Sequence, residues 1–97
     1  MQFLVLATMR DGVTAERAVP LIGAEAAAVW GHAAAGLVRS VHYRADMRGA
    51  VLMLEAGDPA EVERAVAALP MVKAGLLSAE VVPLKPYTGY EALFAKS

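Results

Sequence analysis

Two residues in the middle of the chain, His42 and Arg44, have side chains suited to acid–base chemistry on a small molecule. They alternate with Val41 and Tyr43, so a strand here would place both on one face. Histidine ionises near neutral pH and can take a proton from an acidic carbon. Arginine can hold a carboxylate or an enolate oxygen. We therefore predict His42 as general base and Arg44 as anion holder, with one alternative, that the two form a buried polar pair across a dimer interface.

Four further residues are predicted to contact a substrate: Ser40, Tyr43, Glu55 and Trp30. Ser40 shares the face of His42, but residues two apart on a strand are about 6–7 Å apart, too far for a nucleophile and its base. Tyr43 and Glu55 lie on the other face or on the neighbouring strand. Glu55 has an alternative role in a cross-strand ion pair with Arg39. Helical spacing puts Trp30 near an apolar stripe, so it is predicted to line the core or a pocket wall.

The composition argues against several classes of partner. The chain has two histidines and no cysteine, so we predict no metal site, and no phosphate loop or dinucleotide fingerprint indicates a cofactor. Nine basic and ten acidic residues are scattered singly, which argues against nucleic-acid binding. No apolar run approaches the roughly 20 residues of a membrane span. With no signal-peptide pattern and no cysteine, we expect a cytoplasmic protein without membrane contact.

The first third of the chain predicts a strand and a kinked helix. Residues 2–9 form an almost continuous apolar run, as in a strand buried on both faces. Thr14 is a candidate helix N-cap, and Pro20 is expected to kink the helix, which continues to about Ala35 and ends at Gly36. The stripe expected to face the core has spacings of four and three, at Ala15, Val19, Ile22, Ala26, Val29 and Ala33.

The remainder predicts a hairpin, a helix, a strand and a tail. Residues 37–45 and 50–56 read as two strands joined by a turn at 46–49. Asp58, Pro59 and Glu61 form a capping box that opens a helix to Leu69, where Pro70 stops it. Residues 76–84 are a fourth strand. Thr88 and Glu91 repeat the capping-box spacing and predict a short helix through Phe94, in an aromatic tail that could clasp a partner subunit or cover a cavity.

This order of elements predicts an α+β fold of ferredoxin-like βαββαβ topology, in a single domain of residues 1–97. Two helices would cover one face of the sheet. The strands are nevertheless apolar on both faces, and 58% of all residues are hydrophobic. An identical sheet from a second copy would cover the bare face, so we predict a homodimer or larger homo-oligomer that forms a sheet-to-sheet dimeric α/β barrel.

Several segments resemble the muconolactone isomerase-like branch of the dimeric α/β-barrel superfamily. They are GLVR at 36–39, YRAD at 43–46, AALPM at 67–71 and EVVPL at 80–84. The resemblance covers about two thirds of the chain. It implies an oligomer with a small-molecule cavity, either between the sheet and its helices or at the barrel mouth. It also implies an activity without metal or organic cofactor, either isomerase-like proton transfer or cofactor-free monooxygenation.

Two functions remain open at this stage. The first is cofactor-independent proton transfer, of the isomerase type, on a small unsaturated or aromatic metabolite, either apolar or anionic. The second is a non-catalytic dimeric binding or structural module, with His42 in the interface. An open cavity of more than about 300 Å³ at His42 and Arg44 would favour the enzyme.

Overall fold

A computed structural model describes residues 1–95 of the chain; residues 96 and 97 of the predicted domain lie outside this range. The elements follow the predicted order. They are β1 (Gln2–Met9), α1 (Ala15–Ala18), a 3₁₀ turn (Val19–Leu21), α2 (Ile22–Ala34), β2 (Val38–Tyr43), β3 (Gly49–Glu55), α3 (Pro59–Ala67), α4 (Pro70–Lys73), β4 (Leu77–Pro83) and a second 3₁₀ turn (Gly89–Leu93).

The strands form one antiparallel sheet in the order β2-β3-β1-β4. Strand β1 is central and pairs with β3 on one side and with β4 on the other, while β2 pairs with β3. The two edges of the sheet are therefore β2 and β4. This arrangement confirms the predicted ferredoxin-like α+β fold.

The core lies between the sheet and the helices. Alternate residues of β1, Phe3 and Val5, are fully buried there, as is Val62 of α3. The start of α3 is fixed by the predicted cap, because the Asp58 carboxylate accepts a hydrogen bond of 2.9 Å from the backbone N–H of Glu61. The structure thus places one side of each central strand in a closed core.

Strand β2 contains a β-bulge that the sequence pattern does not reveal. Val38 pairs with Leu54, but Ser40 pairs with Met53, so Arg39 is the extra residue. The bulge changes which side chains share a face. Val38 faces the helices and is buried in the core, whereas strict alternation along the strand would put it on the same face as Ser40 and His42.

The first helical segment is kinked as predicted, but only the last two of the six stripe residues expected to face the core do so. The α-helical turns on either side of Pro20 are separated by a 3₁₀ turn. Val29 and Ala33 pack against the core. Ile22 is 51% exposed, however, and Val19 is exposed as well. One reason is that the half-buried Glu25 faces inward and accepts a 3.0 Å hydrogen bond from the backbone N–H of Met71, which sets the rotation of α2.

The segment around Pro70 also differs from the prediction. Helix α3 ends at Ala67, and Pro70 occupies the first turn of the short helix α4 instead of stopping α3. Proline is well suited to that position, because its missing N–H has no partner in the first turn of a helix.

The tail after β4 lies off the body of the protein. The predicted cap at Thr88 does not form, because this residue is in the right-handed helical region and makes no side-chain cap hydrogen bond. Residues 85–95 are all exposed. The longest dimension of the protein is 59 Å, whereas a strand of eight residues spans about 27 Å. The tail therefore projects, with Tyr87 and Tyr90 in an edge-to-face contact of 4.9 Å.

No helix within residues 1–95 has both the length and the apolar character that crossing a membrane requires.

Candidate functional site

The face of the sheet opposite the helices has no cover in the single chain. Its centre is apolar and half-buried, made of Leu4 and Leu6 from β1 and of Val51 and Met53 from β3. The polar side chains of this face lie mainly on the edge strands, at Ser40, His42, Ser78 and Glu80. We call this surface, an apolar centre with polar margins, the bare face.

His42 and Ser40 lie on the bare face, as their spacing predicts. His42 pairs with Val51 and Ser40 with Met53, and paired residues of antiparallel strands project to the same side of a sheet. His42 is exposed, and no side-chain hydrogen bond within residues 1–95 involves it. Its imidazole is therefore free to contact a ligand placed on the apolar centre.

Arg44 lies at the same end of the bare face, just after β2, and crosses the sheet surface toward β1. Its Nη1 donates a 3.2 Å hydrogen bond to the Thr8 hydroxyl, and its Nη2 lies 2.8 Å from the Asp46 carboxylate. The residue opposite Arg44 on β3 is Gly49, which has no side chain to block this path. The structure thus brings His42 and Arg44 together on one surface.

Asp46 and Thr8 were not among the residues predicted from the sequence. The Asp46 carboxylate accepts a 2.9 Å hydrogen bond from the backbone N–H of Arg48. This bond is the larger cause, and the positive charge of Arg44 the smaller one, that holds the pKa of the Asp46 carboxyl below its ordinary value. Asp46 had been assigned only to the turn. Thr8 could be found only from the β1–β3 register, which joins residues far apart in sequence.

Glu55 also belongs to the bare face, but at its opposite end, where it pairs with Gln2. It lies four residues from Val51, the partner of His42, a distance of about 13 Å along the strand. The N-terminal ammonium donates a 2.8 Å hydrogen bond to its carboxylate and holds the pKa of Glu55 below its ordinary value. Arg39 makes no close ion pair with Glu55 among the described residues; its Nε donates to the Gly36 carbonyl at 2.7 Å, and its charge still helps to lower the pKa of Glu55.

Tyr43 and Trp30 do not reach the bare face. Tyr43 pairs with Ala50 on the helical side of the sheet and is 76% exposed. Trp30 is 73% exposed on α2, so it does not belong to the core of the single chain. The inward surface of this helix is instead formed by neighbours such as Val29.

Two cavities of the described residues lie away from His42 and Arg44. The space between helices and sheet, lined by Val29, Leu52 and Val66 among others, measures about 10 Å³, which is too small for a metabolite. The family resemblance implied a small-molecule cavity either between the sheet and its helices or at the barrel mouth, and the first of these two locations is wrong. A larger open groove of about 630 Å³ lies at the Glu55 end and is lined in part by His32, Arg39 and Glu61. Neither cavity includes His42 or Arg44.

Residues 1–95 contain no group of three or more histidine, aspartate or glutamate side chains that could hold a metal ion.

Comparisons with known proteins bear on the fold. No family model matches the chain, and no curated protein matches it. A solved structure does: 5-chloro-2-hydroxyhydroquinone dehydrochlorinase (TftG) from Burkholderia phenoliruptrix AC1100, in complex with 2,5-dihydroxybenzoquinone. The match has a TM-score of 0.75 and 25% sequence identity, and it covers 88% of this chain and 94% of that chain. This likeness supports the dimeric α/β-barrel superfamily for the chain, with the ferredoxin-like fold that the sequence predicts.

Proposed function

We propose that this protein is a homodimeric α/β barrel that binds a small, oxygen-bearing aromatic or unsaturated metabolite on the bare face and transfers a proton without a cofactor. In this proposal His42 is the general base and Arg44 holds the negative charge, as in an isomerase-type reaction of the muconolactone isomerase branch. One observation carries the proposal: both side chains lie on the uncovered apolar face, with nothing in the single chain between them and a ligand.

The argument for a dimer comes from the apolar centre of the bare face. Leu4, Leu6, Val51 and Met53 are adjacent on the two central strands and remain partly exposed. A contiguous apolar patch of this kind marks an interaction surface in a protein. A second copy laid on it would bury the patch and leave His42 and Arg44 at its polar margin, next to the space between the sheets.

The residues then support a simple reaction. The neutral imidazole of His42 takes a proton from an acidic carbon of the substrate, and the electron pair of the broken C–H bond moves into a conjugated carbonyl. The resulting enolate oxygen carries the charge beside the Arg44 guanidinium. The imidazolium then returns the proton to another carbon, which completes a double-bond shift and regenerates His42.

The structural neighbour supports the substrate class. Its name assigns it the removal of hydrogen chloride from a chlorinated hydroxyhydroquinone, and its bound molecule is a dihydroxybenzoquinone. Such a molecule combines a flat apolar ring with acidic hydroxyl groups. The bare face offers an apolar centre for a ring and a guanidinium for an ionised oxygen, so it matches both properties.

A thermal-shift screen tests the proposal, with 2,5-dihydroxybenzoquinone, phenols, dienoic acids and unsaturated lactones as probes. A ligand at about 100 times its Kd stabilises a protein by roughly 2.7 kcal/mol, so the Tm should rise by about ten degrees or more. We expect the shift to shrink in His42→Ala and in Arg44→Met. Val41→Ala is the matched control, because Val41 is next to His42 but pairs with Leu52 on the helical side.

The outcomes separate the two functions. A large shift that depends on His42 and Arg44, together with exchange of a substrate proton for deuterium that His42→Ala abolishes, supports the enzyme. A flat screen, or a shift that both variants leave unchanged, contradicts the proposed site. In that case the dimer would be a non-catalytic binding or structural module, with His42 in its interface.

A further inference from the structure

We propose that Asp46 is a positioning residue: it holds Arg44 flat across the sheet, with Thr8 as the second support, so that the anion-binding end of the bare face is already built in the single chain. This inference rests on the proposed function, because it concerns how the same site receives the charged oxygen of its ligand.

The backbone of the hairpin turn holds Asp46 in place independently of its contact with the Arg44 side chain. The turn is closed by a 2.9 Å bond from the backbone N–H of Met47 to the Arg44 carbonyl and by a 2.9 Å bond from the Arg44 N–H to Gly49. Met47 adopts a φ of 59°, which reverses the chain. One carboxylate oxygen of Asp46 accepts the N–H of Arg48, and the other is left for the Arg44 guanidinium.

Gly49 lies opposite Arg44 on β3, where the backbones of β3 and β1 approach closely. Its φ of 150° lies in the region that favours glycine, and an added Cβ would lie 1.9 Å from the carbonyl oxygen of Ala7. With no side chain at this position, Arg44 passes over β3 and donates to Thr8 on the next strand at 3.2 Å. The guanidinium is therefore held between two strands and the turn.

This arrangement leaves donors for a ligand. A guanidinium has five N–H groups, and the contacts to Asp46 and Thr8 engage the two terminal nitrogens without using all of their hydrogens. The Thr8 hydroxyl accepts from Arg44, so its own hydrogen remains free to donate to an anionic oxygen. A substrate enolate or phenolate at this place would meet Arg44 in a geometry that needs little reorganisation.

If Asp46 acts only through its charge, Asp46→Asn should change ligand affinity in one direction. If Asp46 positions Arg44, the same variant should change the affinity in the opposite direction. Removal of a carboxylate close to an anion site should strengthen anion binding if Asp46 acts only through its charge. If Asp46 positions Arg44, the loss of the 2.8 Å contact should weaken binding. We expect the Kd for 2,5-dihydroxybenzoquinone, measured by titration calorimetry on the full-length protein at fixed ionic strength, to rise about tenfold, which corresponds to about 1.4 kcal/mol.

Glu63→Gln is the matched control, because Glu63 is an exposed carboxylate on α3, on the side of the sheet away from the bare face. It removes the same charge and should leave the Kd within about twofold of wild type. Thr8→Val removes the second support while keeping the side-chain shape, and it should raise the Kd severalfold. In ¹⁵N relaxation of the ligand-free protein, the Nε–H group of Arg44 should become more mobile in Asp46→Asn and Thr8→Val, but not in Glu63→Gln.

Unchanged or tighter binding by Asp46→Asn, when Arg44→Met abolishes binding, would overturn the positioning role and leave the proposed function intact. Binding that survives in Arg44→Met would contradict the proposed function itself. If Asp46→Asn does not fold, Thr8→Val decides the question: an unchanged Kd and an unchanged Arg44 mobility in that variant would overturn the inference.

Discussion

The two faces of the sheet have similar apolar side chains but different surroundings. On β1, Phe3 and Val5 face the helices and are fully buried, whereas Leu4 and Leu6 on the same strand face away and stay partly exposed. Strand β3 repeats the pattern with Leu54 and Met53. One chain can therefore close one core by itself, while the bare face requires a partner to become an interior.

The polar side chains follow the same division. Among the described residues, no polar or charged side chain is buried in the core on the helical side. His42, Arg44 and Thr8 all belong to the bare face. The helix-covered face thus forms the closed core, and the bare face carries the proposed site residues His42 and Arg44.

The largest expected difference between the faces is in the free energy of unfolding. Leu54 is 2% exposed within the core, so Leu54→Ala should lower this free energy by about 2–5 kcal/mol. Met53→Ala, one residue away on the bare face, should cost clearly less in dilute protein where any dimer has dissociated. Urea denaturation at low protein concentration measures both. Equal losses would show that the bare face is already packed in the single chain.

The next effect concerns assembly. Leu6→Asp places a charge at the centre of the bare face, so we expect a folded monomer by analytical ultracentrifugation, with an unchanged far-ultraviolet circular dichroism spectrum. Ile22→Asp is the comparison variant, since Ile22 is 51% exposed on the helical side. If Ile22→Asp dissociates the dimer and Leu6→Asp does not, the interface lies on the helices, and the comparison of the two faces fails.

The smallest effect is a pH dependence of stability. Hydrogen bonds hold the pKa of Asp46 and of Glu55 below their ordinary values in the folded protein. Carboxyl groups of this kind stabilise the fold above their unfolded pKa values, about 4, and lose that contribution as the pH falls through the folded values. Both groups are solvent-exposed, so the loss should be small and should shrink in high salt. We expect the urea midpoint to fall less steeply between pH 6 and pH 2.5 in the Asp46→Asn, Glu55→Gln double variant than in wild type. If the midpoint falls equally steeply in both proteins, the acid sensitivity belongs to other groups.

Much of the fold could be predicted because its signals are local. The proline at position 20, the capping box at Asp58 and the period of two around His42 each depend on residues within one turn or one strand. The predictions failed where contacts between residues far apart in sequence determine how an element is oriented. Glu25 accepts a hydrogen bond from a residue 46 positions later and so shares the inward side of α2, while Trp30 on the same helix is exposed.

The candidate site was predictable only in part, for the same reason. His42 and Arg44 share a strand face by their spacing, and the sequence determined this. That Arg44 also contacts Thr8, 36 positions away, depends on the β1–β3 register, which pairs Thr8 with Gly49.

The sequence by itself determined the order of the elements, the apolar character of both faces of the sheet and the pair of residues suited to proton transfer. These properties follow from side-chain type and from periods of two and about 3.6 residues, which act over short distances. The tertiary structure decided which face the helices cover, where the bulge shifts the alternation and which groups hold Arg44. These depend on pairing between strands and on helix docking, whose contacts join residues that the sequence keeps far apart.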